Sequence, residues 1–231
     1  MPAEKISTGC RGLDRLLHGG FARGEVTLIY GEAATGKTTT VIQAAISTAK
    51  MGLKILYLDP DHSFTQQRFN QIAGRQAENI SKLIMLFLPE TFSEQRMIVE
   101  SLENYVTPTL GLVIIDSMSS LYRAAFSTSE SIFSLNRDLS GQVAYLGELS
   151  SSRNIACILT SQVHARLTPP VDIEPVARRA LFHFPRTILR LRNTPKPNVK
   201  EFELERAGGA DIARTMCLVA LAEDGLTDVP A

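Results

Sequence analysis

A mostly parallel α/β sheet covered by helices is the fold the sequence predicts, and three observations predict it. Short apolar runs rich in strand formers, at 26–30, 54–58, 83–88, 112–115 and 155–160, alternate with stretches of helical periodicity. The core runs lack the polar alternation of a half-exposed strand, which fits a sheet covered on both faces. Glycines punctuate the joints, with Gly24 and Gly31 bracketing the first core run and Gly52 just past the first long helix.

The elements follow in order. A short helical pattern with Leu13, Leu16 and Leu17 on one face lies among the turn signals Gly9, Gly12, Gly19 and Gly20. Residues 38–50 read as a helix, because Val41, Ile42, Ala45 and Ala49 recur at helical spacing. Further helices are predicted at about 93–105, closed by Pro108, and at about 130–152. The last third changes character. Residues 187–192 and 199–205 alternate in strand fashion, 215–221 is another apolar run, and little helix separates them. They are expected as antiparallel additions at the sheet edge. The whole chain, 1–231, reads as one core domain, with 1–24 as a lead-in and about 185–231 as a C-terminal β extension.

Composition narrows the function. The 231 residues suit one large domain, and 44% hydrophobic content supports a substantial core. Lys plus Arg balances Asp plus Glu at 24 each, so bulk electrostatic binding of nucleic acid is not expected and any DNA contact must come from a local patch. Cys10, Cys157 and Cys217 have no paired spacing, which argues against a disulfide framework or zinc site. The histidines at 18, 62, 164 and 183 show no metal-ligand spacing. No apolar run reaches the ~18 residues of a membrane span, and Met1 to Lys5 carries no apolar leader. The expectation is a cytoplasmic protein without membrane contact.

The strongest local signal is Gly31-Glu32-Ala33-Ala34-Thr35-Gly36-Lys37-Thr38, which matches Gly-x-x-x-x-Gly-Lys-Ser/Thr between a predicted strand and a predicted helix. Gly31 and Gly36 permit backbone angles that other residues resist, so the loop amides can turn toward phosphate oxygens at a helix N-terminus. Lys37 would reach the outer phosphates, and the Thr38 hydroxyl would ligate Mg²⁺. The partner motif is Leu112-Val113-Ile114-Ile115-Asp116, a buried strand delivering a carboxylate at the end where open α/β sheets bind ligands. Asp116 suits a magnesium held through its water shell, although a strand-terminal Asp before a Ser-rich segment can also cap a helix. No guanine-reading Asn-Lys-x-Asp is present, which argues against a GTPase, while a small-molecule kinase stays open on the loop alone.

A longer pattern carries a family resemblance. Ile6-Ser7-Thr8-Gly9, Leu13-Asp14, Leu16-Leu17 and Gly19-Gly20 lead through Gly24 into the loop; Tyr57-Leu58-Asp59 is followed by Phe64 and Arg68; Asp116-Ser117-Met118-Ser119-Ser120 leads to Tyr122-Arg123-Ala124; and Thr160-Ser161-Gln162-Val163 precedes Arg166. Over nearly the whole chain this resembles the RecA-type core of the archaeal RadA and RadB recombinases and the wider group that includes KaiC. The Ala34-Thr35-Gly36-Lys37-Thr38-Thr39 version of the loop resembles the short RadB family. RadA recombinases carry a helical DNA-binding domain before the core and polymerise through a Phe-x-x-Ala segment. Neither precedes Ile6, so a monomer or small oligomer is expected.

The resemblance implies ATP and Mg²⁺ as cofactors, held by residues 31–39 (Gly31, Glu32, Ala33, Ala34, Thr35, Gly36, Lys37, Thr38 and Thr39) with Asp116. It implies that Gln162 senses the γ-phosphate and moves the loop that follows. Where the recombinases carry a glutamate that activates the attacking water, this chain has Asp61, one methylene shorter, so weak hydrolysis is expected. Asp61 also reads as a solvated turn residue after Pro60, and Gln162 as a strand-end cap. Arg123 and Arg166 align with DNA-facing loops, or are ordinary surface arginines. Between Glu174 and Glu201 there is no acidic residue, and Arg190 and Arg192 project from one strand face, so this stretch is the candidate DNA stripe. Phe182 and Phe184 could stack on bases or anchor the core. Two readings follow: a weak, DNA-dependent ATPase that assists a RadA-type recombinase in homologous recombination on DNA, single-stranded by preference, or a nucleotide-dependent binding module, mediator-like or KaiC-like, with negligible hydrolysis.

Overall fold

The computed structural model describes residues 4–127, 131–166 and 172–229. The chain opens with β1 (Lys5–Ile6), α1 (Arg11–Leu16) and β2 (Phe21–Ala22), β1 and β2 pairing as a small hairpin. Then come β3 (Val26–Gly31), α2 (Lys37–Lys50) and β4 (Lys54–Leu58). Two short helices, α3 (Gln66–Ala73) and α4 (Ala77–Ser81), lead to β5 (Ile84–Phe87), α5 (Phe92–Ser101) and β6 (Leu110–Ile115). Helices α6 (Ser120–Ser127) and α7 (Ile132–Arg153) precede β7 (Ala156–Ser161). The chain closes with β8 (Val163–Arg166), β9 (Asp172–Pro175), α8 (Arg178–Leu181), β10 (Thr187–Asn193), β11 (Val199–Ala207), β12 (Ala210–Ala222) and β13 (Gly225–Asp228).

One nine-stranded sheet organises the molecule, in the order β13-β12-β11-β10-β3-β7-β6-β4-β5. The six strands from β10 to β5 run parallel, and β11 to β13 are antiparallel. The apolar runs of the sequence analysis are fully covered. Every residue of β3, β6 and β7 is buried, and two cores form, one on each face. α2 fills one face with Val41, Ile42 and Ala45; α7 fills the other with Leu135, Leu139, Val143 and Leu146. Each such aliphatic side chain contributes about 1.5–3 kcal/mol when fully buried.

The structure corrects the edge expectation for 187–192. β10 pairs in parallel with β3, Arg190 opposite Tyr30, and antiparallel with β11 on its other side. It is an interior strand. Leu189 and Leu191 face the α2 core, and a strand buried on that side is accepted by the central β3 without an intervening long helix. The predicted helix at 93–105 is α5 followed by a 3₁₀ turn at Leu102–Tyr105. The first residue of the helix predicted at 130–152 lies outside the described residues; α7 runs from Ile132 to Arg153. No helix among the described residues is long and apolar enough to cross a membrane.

Candidate nucleotide site

The phosphate loop leaves the C-terminal end of β3 and enters the N-terminus of α2. Gly36 is the N-cap of α2 with φ +94°, and Ala34 also takes a positive φ of 60°. These two left-handed positions carry the loop into the positive end of a 14-residue helix, the arrangement in which backbone amides can receive an anion. Gly31 is required for a different reason from the one its motif suggests. It stays in the strand, and a Cβ there would stand 2.3 Å from the Leu191 carbonyl oxygen on β10. The constraint is close approach between β3 and β10, whereas the left-handed angle belongs to Gly36.

Inside the loop, the buried Thr35 hydroxyl donates to the Glu32 carbonyl at 2.8 Å, which holds the turn closed. Lys37 Nζ donates to the carbonyls of Gly31 at 2.8 Å and Glu32 at 2.7 Å. Burial lowers the Lys37 pKa, and the carboxylates of Asp116, Asp61 and Glu32 oppose that shift. A pocket of about 230 Å³ opens here, lined by Ala34, Gly36, Lys37, Thr38, Thr39 and Leu221. Leu221 comes from β12, so the C-terminal strands wall the site. Arg68 ties the same wall down: it donates to the carbonyls of Glu223 at 2.6 Å and Ala222 at 3.0 Å, and to Thr39 Oγ1 at 3.4 Å.

Asp116 stands at the end of β6, 3% exposed. Thr160 donates to its Oδ1, Tyr57 donates to Oδ2 at 3.0 Å, and Ser63 Oγ lies 3.4 Å from Oδ2. Burial raises the Asp116 pKa, and hydrogen bonds from Thr160, Thr38 and Tyr57 pull it back toward ionisation. This donor set fits a hydrated magnesium carried by a nucleotide. A carboxylate 3% exposed and within electrostatic reach of Lys37 calls for a cation. Among the described residues no group of three His, Cys, Asp or Glu could hold a metal unaided, so phosphate oxygens and water would have to complete the shell.

Two residues that the sequence offered as part of the family pattern, with no site role assigned, shape this corner. Tyr57, fully buried, orients the Asp116 carboxylate. Asp59 accepts from Ser63 N at 2.9 Å, Ser63 Oγ at 3.1 Å and Phe64 N at 2.8 Å, organising the 59–64 turn. That turn presents Asp61 outward, exposed. The signal available in sequence was Asp-Pro-Asp, in which an aspartate followed by proline caps its own turn.

Asp61, Gln162 and Arg123, far apart in sequence, meet. Gln162 Nε2 donates to Asp61 Oδ2 at 3.3 Å, and Arg123 Nη1 donates to Gln162 Oε1. Arg166 ends β8 in register with Asp172, and its side chain lies outside the described residues.

The expected basic stripe is not presented to solvent as such. Arg190 is 6% exposed and faces Glu205 at 3.9 Å; Arg192 pairs with Glu203 at 3.1 Å and Glu201 at 3.7 Å. Both arginines sit beside β11, whose alternating Glu201, Glu203 and Glu205 neutralise them. Lys200 is buried and donates to Asn193 at 2.8 Å. Phe182 packs edge-on against Tyr30 at 5.6 Å beneath the Arg178 guanidinium, which makes it an anchor; Phe184 is exposed.

Comparison with known proteins matches residues 3–229 to the Rad51 family model. The "DNA repair and recombination protein RadB" of Methanococcoides burtonii is 36% identical over 83% of this chain and 84% of its own length. That of Thermococcus gammatolerans is 35% identical over 97% of this chain and 99% of its own. Among solved structures, the crystal structure of the RadB recombinase superposes with a TM-score of 0.82 at 33% identity, covering 97% of this chain and 100% of that one.

Proposed function

Since the chain belongs to the Rad51 family and resembles its RadB members over most of its length, we propose that it is an ATP-binding, weakly ATP-hydrolysing protein of DNA repair and recombination that acts on DNA beside a RadA-type recombinase. The observation that carries the nucleotide reading is the meeting of three features: the loop at the N-terminus of α2, Lys37 at its head, and the buried carboxylate of Asp116, held by Thr160 and Tyr57 within electrostatic reach of Lys37.

The chain's own residues then divide the work. Loop amides from 31–38 and the α2 N-terminus bind phosphate oxygens. Lys37 exchanges its two loop carbonyls for the outer phosphates. Thr38 and Asp116 would hold magnesium, which would supply neutralisation of developing phosphate charge. Leu221 and the Arg68-braced turn at 222–224 close one side of the pocket against water. Asp61 accepts the proton of an attacking water, and its exposure leaves that water poorly fixed, which supports slow turnover. We assign DNA contact to Arg123 and Arg166, at the segments after Asp116 and Gln162.

The second reading, a nucleotide switch with negligible hydrolysis, is favoured by the Gln162–Asp61 hydrogen bond, which occupies the carboxylate. The test is ATP binding and ATP hydrolysis, with and without single-stranded DNA, for wild type, Lys37→Ala and Asp61→Ala. Binding and turnover both lost in Lys37→Ala support the ATPase. Turnover unchanged in Asp61→Ala removes its role as base, and wild type that binds no ATP ends the proposal.

A further inference from the structure

Gln162 is the centre of a three-residue chain beside the phosphate loop. It accepts from Arg123 and donates to Asp61, partners 39 and 101 residues away. Its amide can face only this way. A guanidinium has donors and no acceptor, and an ionised carboxylate has acceptors and no donor, so a flipped amide would set like against like at both ends. The backbone of Gln162 is fixed independently: its N–H donates to Ser119 Oγ at 3.2 Å, and its carbonyl accepts from Val176 N at 3.0 Å. Only the side chain is left to swing, and Arg123 and Asp61 hold its two ends.

Arg123 itself rides on α6, its N–H bonded to the Ser119 carbonyl at 3.1 Å, so the helix that follows the Asp116 strand delivers it. Arg123 and Asp61 are both exposed, so water reaches the chain from each end. An exposed bond of this kind is weak enough to be displaced. A phosphodiester oxygen is also a better acceptor for a guanidinium than a neutral amide, because the bond is charge-assisted and can be bidentate.

We infer that Arg123 is a positioning residue that brakes nucleotide turnover: it clamps the Gln162 amide onto Asp61, and a phosphodiester that draws the guanidinium away lifts the brake. The inference rests on the reading of Asp61 as the base that accepts a proton from water. In the clamped arrangement the Gln162 N–H occupies one acceptor position on Asp61 Oδ2, which makes that oxygen a weaker base for the water. Once Arg123 leaves, Oε1 loses its donor and the amide is free to rotate off the carboxylate.

The experiment compares wild type, Arg123→Ala and Arg123→Lys for ATP affinity and turnover, with and without a single-stranded oligodeoxynucleotide, and follows the Gln162 side-chain amide by NMR. Arg123→Ala is expected to turn over about threefold to fivefold faster without DNA, the strength of an exposed charge-assisted pair. It should gain nothing further from the oligonucleotide and keep its ATP affinity. Arg123→Lys, which retains a donor, should lie between. The Gln162 amide signal should move in the same direction on Arg123→Ala and on adding oligonucleotide to wild type. An unchanged basal rate in Arg123→Ala overturns the brake, even if DNA stimulation is lost, and so does a wild-type rate that oligonucleotide does not raise. Failure of wild type to bind ATP strikes the proposed function instead; the amide signal then decides by itself, and its indifference to both perturbations overturns the brake.

Discussion

Tyr57→Phe removes one oxygen from the interior of the sheet and leaves the ring in place. That hydroxyl donates to Asp116 Oδ2 at 3.0 Å, and both side chains are buried. The phenylalanine ring fills the same space, so no cavity forms. What is lost is a hydrogen bond to a charged acceptor, worth about 1.5–3 kcal/mol. Asp116 keeps Thr160 and Thr38, which sets the expectation near the lower half of that range, about 2 kcal/mol. For a chain of this length each kcal/mol moves Tm by about 2–4 °C, so the variant should melt about 4–8 °C lower.

The pH dependence makes the prediction specific. Burial raises the Asp116 pKa, and the Tyr57 hydrogen bond is one of three that restrain the rise. A carboxyl whose folded pKa exceeds its unfolded one costs stability when ionised. The cost is absent below the unfolded value, near 4, and grows as pH rises through the folded value. Tyr57→Phe raises the folded value further, so its deficit should be largest at neutral and alkaline pH and shrink toward acid, where Asp116 is protonated in both proteins. Burial lifts the Tyr57 hydroxyl well above its ordinary value, so it stays protonated throughout. Urea denaturation of the nucleotide-free proteins at about pH 5 and about pH 8 measures this. A deficit below about 0.5 kcal/mol at the higher pH, or one of equal size at both, refutes the reasoning.

Gln43 on α2 accepts from Leu226 N at 2.7 Å and donates to its carbonyl at 3.1 Å, so Gln43→Ala strands two buried backbone groups and should cost about 2–4 kcal/mol in denaturant unfolding; a loss under about 1 kcal/mol would mean that β13 is held by other contacts. Arg190→Ala should destabilise by about 1–3 kcal/mol, because burial raises the Glu205 pKa and Arg190 is one of the groups that lowers it, yet should leave DNA affinity within about twofold; a marked fall in the salt dependence of DNA binding would return Arg190 to the DNA surface. Burial pushes the Cys157 and Cys217 thiols up to about 12, so alkylation read by mass spectrometry should spare Cys157 in the folded protein across about pH 7–9 and reach it only on unfolding.

The phosphate loop, Asp116 and the strand–helix alternation were legible because each is local. Gly36 and Lys37 stand at fixed offsets in one turn, and a fully buried strand shows itself as an unbroken apolar run. Tyr57 was not legible as an Asp116 partner, because a buried tyrosine in an apolar strand looks like core until β4 and β6 are known to be neighbours. The pairing of Arg190 and Arg192 was hidden for a related reason. Arg190 and Arg192 were read with their own strand only, and the glutamates that neutralise them lie on β11, whose register against β10 only the structure gives.

The sequence by itself determined what each segment can do: which glycine-bearing loop joins a buried strand to a helix, which strands are covered on both faces, and which carboxylate ends a buried strand. Only the tertiary structure decided which of these meet. It made β10 an interior parallel strand, set Leu221 and Arg68 around the loop, and joined Asp61, Gln162 and Arg123 into one chain. The physical reason is range. Backbone propensity and hydrophobic period act over a few residues, whereas hydrogen bonds and ion pairs act between whatever atoms the sheet order brings within about 3–4 Å.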